Sequence, residues 1–145
     1  MVINIIIPDS GRIDVLGRGM DEAMKVEVGY LPEDRGLYHK MRLGEQLLFL
    51  AALKVLRPPQ ARKKVEHWLE RFDLADWRGK KTEELSRGMQ QKAQFIATIL
   101  HDPRLIILDE PFSGLDPVNT KLFKDVMLEM RDSGATIIFS THRME

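Results

Sequence analysis

Cysteine is absent from the 145 residues. That excludes a disulfide framework, a thiolate nucleophile and a cysteine-based zinc site, and it fits a reducing compartment. No sign of charge dominates: Lys plus Arg and Asp plus Glu are each 22. No net field therefore steers nucleic acid or an anionic membrane surface toward the chain, and no nucleic-acid partner is expected. Long hydrophobic runs are also missing. The longest, from Leu47 to Leu53, is far short of the roughly 20 residues that a membrane helix needs. Met1 to Ile7 holds an apolar run but no basic start, so it does not read as a signal peptide. Repeats and low-complexity segments do not occur. His39, His67 and His101 have no metal-ligand spacing and read as ordinary surface or core histidines. These absences predict one soluble domain, free to work at a membrane; a domain of about 150 residues buries roughly 70% of its unfolded surface.

Among what is present, Leu105-Ile106-Ile107-Leu108-Asp109-Glu110-Pro111 carries the most information. Four consecutive apolar residues read as a strand buried on both faces of a parallel sheet. Two carboxylates follow where that strand leaves the core, and open α/β sheets bind ligands beyond the carboxyl ends of their strands. The same run could also be a strand ending in a solvated acidic turn. Downstream, Asp116-Pro117 opens a helix well, since Asp can cap and Pro is preorganised for the first helical position. Leu122, Phe123, Val126, Met127 and Met130 form its stripe, and Gly134 ends it. Ala135 to Phe139 reads as another buried strand, ending in Ser140-Thr141-His142. A strand–helix–strand unit has parallel strands and a right-handed crossover. Asp109, Glu110 and His142 therefore fall at one edge of one sheet.

Upstream, Val2 to Ile7 is either a short strand or a helix tail, and Pro8-Asp9-Ser10-Gly11 is a turn. Arg12 to Leu16 reads as a short strand broken by Gly17-Arg18-Gly19. Val26 to Leu31 is the next strand, ended by Pro32 and followed by the polar loop Glu33-Asp34-Arg35-Gly36. Leu43 to Leu100 is helical in pattern. One helix covers about Glu45 to Leu56 and stops at Pro58-Pro59. A second, Gln60 to Phe72, places Ala61, Val65, Trp68, Leu69 and Phe72 on one face. After a charged connector, a third opens near Ser86 with Met89, Ala93, Ile96, Ala97 and Leu100 as its stripe. The Met and Trp positions are read as core.

In their order and spacing, the loops resemble the ATP-binding subunits of ABC transporters over nearly the whole chain. Leu85-Ser86-Arg87-Gly88-Met89-Gln90-Gln91-Lys92 is similar to the family's signature motif, usually Leu-Ser-Gly-Gly-Gln. Leu105 to Glu110 resembles Walker B with its catalytic glutamate. Ser113-Gly114-Leu115-Asp116 resembles the D-loop, His142 the switch histidine, and Tyr30-Leu31-Pro32-Glu33 the region of the Q-loop. The resemblance implies an α/β fold: a partial P-loop NTPase core with parallel strands plus an inserted α-helical subdomain. It implies α/β core pieces at 1–36 and 103–145, with 37–102 as the helical part, in one incomplete domain. It implies ATP and Mg²⁺ as cofactors. Asp109 and Glu33 are the candidate metal ligands, Glu110 and His142 the catalytic residues, and Ser86, Arg87, Gly88, Glu33 and Asp116 the nucleotide contacts. Asp109 would hold Mg²⁺ through a water, Glu110 would orient or deprotonate the attacking water, and His142 would bond the γ-phosphate or that water. Ser86 and Gly88 sit at a helix start, where free N–H groups and the helix dipole favour an anion. In the family that end reaches across a head-to-tail dimer. The implied partners are thus a second nucleotide-binding domain and a transmembrane permease subunit, at the cytoplasmic face of the membrane.

The chain departs from the family in three places. No Gly-x-x-x-x-Gly-Lys-Ser/Thr loop occurs, and that loop with its lysine cradles the phosphates. The resemblance puts the missing strand beside Ala135–Phe139, leaving that edge open. The Q-loop glutamine is replaced by Glu33, whose carboxylate can still bind Mg²⁺ through oxygen; Glu33 to Tyr38 resembles a subgroup of bacterial export ATPases, including sodium-efflux types. The signature carries Arg87 and Met89 for Gly and Gln. Arg87 either adds a charge for phosphate or is a solvated residue, and a cation at a helix start opposes the dipole. Three functions remain open from sequence: an ATP-hydrolysing transporter subunit; a non-catalytic module docking on a membrane or ATPase partner; and an ABC-type ATPase of DNA repair or translation, which the balanced charge disfavours.

Overall fold

The computed structural model describes residues 9–19, 21–34 and 36–142, so Val2–Ile7 and Pro8 lie outside the described residues. Strand β1 (Asp14–Val15) pairs antiparallel with β2 (Arg18–Gly19). Their link, Leu16-Gly17, has both φ angles positive, 52° and 81°. Two positive φ values in a two-residue link match the right-handed twist of the strands it joins. The Gly17-Arg18-Gly19 stretch, expected to break a strand, therefore carries its returning partner. Next comes a five-residue helix, α1 (Glu22–Val26), capped by Asp21, whose carboxylate accepts from the Met24 N–H at 2.7 Å. It buries Met24 against Val15, Val28 and Leu105, and it shortens the expected strand to β3 (Val28–Leu31).

The helical section follows: α2 (Leu43–Leu53), α3 (Pro58–Arg71), 3₁₀ turns at Ala75–Trp77 and Thr82–Glu84, and α4 (Arg87–Ile99). Pro58 and Pro59 open α3 rather than end α2, because a proline in the first turn loses no intrahelical bond. The expected apolar face of α3 is buried at Ala61, Val65, Leu69 and the capping residue Phe72. The Phe72 carbonyl accepts from Lys92 Nζ at 3.0 Å. A buried cation thus meets the negative end of the α3 dipole.

Beyond α4, β4 (Leu105–Asp109), α5 (Pro117–Asp132) and β5 (Thr136–Ser140) complete a three-stranded parallel sheet in the order β3-β4-β5. Leu31 stands opposite Leu108, and Asp109 opposite Ser140. Central β4 is buried as its apolar run requires. The strand Ala135–Phe139, expected to be buried, is not: Ile138 is 53% and Phe139 48% exposed. Among the described residues β5 pairs on one side only, so it is an edge strand with one flank uncovered. Helix α4 lies close over β3. A Cβ on Gly29 would stand 2.4 Å from the Thr98 carbonyl oxygen, so only glycine fits there.

One buried group sits against this order. Gln46 on α2 has no exposed surface, and neither atom of its amide finds a hydrogen-bond partner. Burying an unpaired amide costs on the order of 1–3 kcal/mol. Replacing it with near-isosteric methionine, Gln46→Met, is expected to stabilise the fold by about 1–2 kcal/mol. Urea unfolding followed by circular dichroism measures this, and a lower midpoint would show that the amide has a partner in solution.

Candidate functional site

Parallel pairing of β4 and β5 ends both strands at one edge, and their following residues interlock there. Ser140 Oγ donates to Asp109 Oδ1, and the Glu110 N–H donates to the Ser140 carbonyl at 3.1 Å. Glu110 Oε1 accepts the His142 N–H at 2.7 Å and lies 2.8 Å from His142 Nδ1. Thr141 Oγ1 is 3.5 Å from Glu110 Oε2. The Glu110 side chain is 13% exposed, whereas His142 is 76% exposed. Glu110 also has a φ of +47°, a left-handed conformation that costs a non-glycine residue roughly 1–2 kcal/mol. The turn is thus held by its side-chain contacts against its own backbone preference. Asp109, Glu110 and His142 are brought together. Ser140 and Thr141, which sequence reasoning left without a role, hold the two carboxylates; two hydroxyl residues ending a strand parallel to one ending in Asp-Glu were the available signal.

A second group of predicted residues lies at the start of α4. Ser86 caps the helix, its Oγ accepting the Met89 N–H at 3.3 Å. A Cβ on Gly88 would stand 3.3 Å from the Gly114 carbonyl oxygen, and one on Gly114 would meet the Arg87 side chain at 3.3 Å. The signature turn therefore packs on the Gly114 turn, with the Arg87 stem laid across it. Gln91 Nε2 donates to the Pro111 carbonyl at 3.0 Å in a buried bond, tying α4 to the turn that carries Glu110. Asp116 caps α5, accepting the Asn119 N–H at 2.8 Å and Asn119 Nδ2 at 2.6 Å. The first of these bonds is the main cause of its lowered pKa. Its carboxylate is thus taken up by the cap.

Glu33 is exposed, just past the end of β3 and at the same sheet edge as Asp109 by register. Its loop is held to α4 through Gln94 Nε2, which donates to the Asp34 carbonyl at 3.2 Å. No group of three or more His, Cys, Asp or Glu among the described residues could hold a metal ion. The residues present fit Mg²⁺ only in its usual manner, with one or two carboxylates and the remaining ligands from water and phosphate. Asp109 supplies one such carboxylate.

A cavity of about 360 Å³ lies behind the Glu33 loop, between β3, the end of α2, and α4. Tyr30, Leu53, Ala97 and the stem of Lys54 give it an apolar lining, with Gln94 and His101 among its walls. Lys54 Nζ donates to the carbonyls of Lys25 at 2.7 Å and Val28 at 3.0 Å, and burial lowers its pKa. His101 Nε2 lies 3.2 Å from the Val28 carbonyl, and its Nδ1 is buried without a partner.

Comparison with known proteins places this geometry. The family model described as "ABC transporter" matches residues 1–113. A Bacillus subtilis (strain 168) protein, the uncharacterized ABC transporter ATP-binding protein YhaQ, is 49% identical over 145 residues, covering 100% of this chain and 49% of its own length. The uncharacterized ABC transporter ATP-binding protein MJ1023 of Methanocaldococcus jannaschii is 39% identical, again over 100% of this chain and 52% of its own. A solved structure of an ATP-binding subunit of an ABC transporter superposes with a TM-score of 0.89 at 30% identity, covering 97% of this chain and 60% of that one. The chain therefore spans about half the length of these curated relatives.

The His101 environment yields a measurable outcome. Burial, then the Lys54 charge, lowers its pKa to about 4. The folded chain then stays unprotonated at this ring while the unfolded chain takes up a proton between about pH 6.5 and pH 4. Stability is expected to be full above that window, to fall as pH drops through it, and to level off below it. His101→Leu should flatten this part of the stability–pH curve, and the ring's own NMR titration should have its midpoint near 4. A midpoint above 6 would contradict the burial.

Proposed function

The chain belongs to the ABC transporter family of ATP-binding domains, and on that premise we propose that it supplies the Walker B, signature and switch elements of an ATP-hydrolysing subunit that powers export across a membrane. The observation that carries this reading is the grip of His142 on Glu110 beside Asp109, at one edge of a parallel sheet. Hydrolysis of a phosphoanhydride asks the protein mainly to position water and to offset charge. Glu110 is suited to both tasks. Oε1 is fixed by His142, and Oε2, which Thr141 Oγ1 approaches at 3.5 Å, keeps a lone pair to accept a proton from a water. A neutral His142 ring donating through Nδ1 keeps Nε2 as an acceptor for that water; a doubly protonated ring would donate from Nε2 to a phosphate oxygen. Mg²⁺, when bound, offsets charge on the phosphate oxygens; Asp109 is the residue here that would hold it, with Glu33 as the second candidate. Ser86, Arg87 and Gly88 present the start of α4 to a nucleotide held by a second nucleotide-binding domain in a head-to-tail dimer. Asp116 acts there by fixing α5 rather than through a free carboxylate.

In this reading 1–36 and 103–145 are core pieces and 37–102 is the helical part. A transmembrane permease subunit engages the helical part near the Glu33 loop, at the cytoplasmic face of the membrane. No nucleic-acid partner is expected. The missing Gly-x-x-x-x-Gly-Lys-Ser/Thr loop favours a second reading for the chain acting by itself: a non-catalytic module with little or no turnover, docking on a membrane or ATPase partner.

Equilibrium dialysis of Mg-ATP against this chain separates the two readings. No saturable binding is expected up to millimolar ATP. Binding abolished by Asp109→Ala would mean that another segment replaces the phosphate cradle. In a form of the domain that includes a Walker A loop, Glu110→Gln is expected to slow hydrolysis by about 100-fold or more while ATP binding persists. Normal turnover in that variant would remove Glu110 from the chemistry.

A further inference from the structure

We propose that Gln91 is a positioning residue for the hydrolytic step: its amide clamps the Pro111 carbonyl to α4 and so holds the Glu110 turn on the side that β5 does not reach. This rests on the reading of Glu110 as the carboxylate that acts on water, and it adds the group that fixes where that turn stands.

The turn closes on itself, but closure alone does not fix it. The Ser113 N–H donates to the Glu110 carbonyl at 3.1 Å, so Glu110 to Ser113 form a β-turn with Pro111 in second position. Turns of types I and II differ in which way the central peptide points, and proline in second position accepts either. Here the central peptide is Pro111–Phe112, and its carbonyl is the one that Gln91 holds. Phe112 is not among the residues with positive φ, which leaves the type I form, since type II needs a positive φ at that position. The contacts from β5 lie elsewhere. They take the Glu110 N–H and the Glu110 carboxylate, and leave the Pro111 carbonyl to α4.

The donor is suited to this one contact. Gln91 is buried, at 5% exposure. A carbonyl only accepts, so the amide orientation is set and Nε2 faces Pro111 at 3.0 Å. Of the four buried polar side chains on α4, Lys92 reaches the end of α3, Gln94 the Glu33 loop and Thr98 the end of β3; Gln91 is the one that reaches the turn after β4. The same loop is gripped again where the Arg87 stem and Gly88 pack on Gly114. Residues 111–114 are thus held by the start of α4 at both ends. The Glu110 Cα lies one trans peptide, about 3.8 Å, from the Cα of the residue that Gln91 grips. Removing the amide leaves a buried carbonyl unmet, and the turn shifts to find another donor.

The test uses the form of the domain that includes a Walker A loop, in which Glu110→Gln is also read. Gln91→Leu roughly keeps the volume and removes the donor. Its kcat for ATP hydrolysis is expected to fall about tenfold or more while KM for ATP stays within about twofold, because a misplaced carboxylate costs rate rather than nucleotide binding. Gln91→Glu supplies a readout that a loss of packing would not move. An ionised carboxylate cannot donate to the Pro111 carbonyl, a protonated one can, and burial pushes the pKa of that carboxyl up. The kcat of Gln91→Glu relative to the native enzyme is therefore expected to rise about threefold or more as pH drops from about 8.5 to about 6, while the same ratio for Gln91→Leu stays level. An unchanged kcat in Gln91→Leu, a KM that rises as much as kcat falls, or a level Gln91→Glu ratio would each overturn the proposal. If Gln91→Leu fails to fold by circular dichroism, the Gln91→Glu ratio, read within one protein, still decides. Normal turnover in Glu110→Gln removes the hydrolytic reading itself; slow turnover there with native kinetics in both Gln91 variants removes only this inference.

Discussion

Phe95 stacks on Phe123 with ring centroids 4.3 Å apart, and Phe72 closes edge-on against both, at 5.8 and 5.5 Å. These three fully buried rings lock α4 to α5 and to the end of α3. Aromatic contacts of this kind add roughly 0.5–1.5 kcal/mol each beyond their buried area. With α4 fixed, its polar side chains become anchors. Gln91 holds the Pro111 turn, Lys92 holds the end of α3, Gln94 holds the Glu33 loop, and Thr98 Oγ1 lies 3.4 Å from the Tyr30 carbonyl at the end of β3. One helix thus sets the position of the Glu110 turn, the Glu33 loop and the cavity behind it. Its N-terminus carries the signature residues. A displacement of α4 cannot leave any of these segments unmoved.

This explains which parts of the structure were legible in the sequence. The central strand, α3, α4, α5 and the Asp116 cap followed from periodicity and capping chemistry, because each is long or carries its own local signal. The parallel edge with Asp109, Glu110 and His142 followed from the strand–helix–strand order. The shortest elements did not show. Helix α1 buries a single side chain, so no stripe could reveal it. The β1–β2 hairpin is two residues a side, and its glycines looked like a break rather than a turn. Ala135–Phe139 was read as buried because an apolar run reports hydrophobicity but not whether a neighbour stands on both flanks.

At the site, the sequence indicated residue types but not their mutual restraint. The hydroxyls of Ser140 and Thr141 act across two strands, a relation that depends on register. The left-handed backbone at Glu110 also cannot be read from a glutamate code. A strained residue persists only where its surroundings over-determine it, and here the restraints come from the next strand: the Ser140 carbonyl, the His142 N–H and the His142 ring. The carboxylate is therefore aimed by β5, an edge strand. Among the described residues, the other flank of that strand has no partner.

The orphaned polar groups sort by what surrounds them. Gln46 and Gln94 are both buried glutamines with unmet amide atoms. Gln46 leaves both atoms unmet and does not line the cavity behind the Glu33 loop, so its burden falls on stability alone. Gln94 uses its donor to hold the Glu33 loop, and only its acceptor goes unmet. The deficit is therefore larger at Gln46 than at Gln94, because Gln94 makes one of its amide hydrogen bonds. The Glu33 loop and the Glu110 turn are thus tied to one helix, by Gln94 to Asp34 and by Gln91 to Pro111 one turn earlier along it.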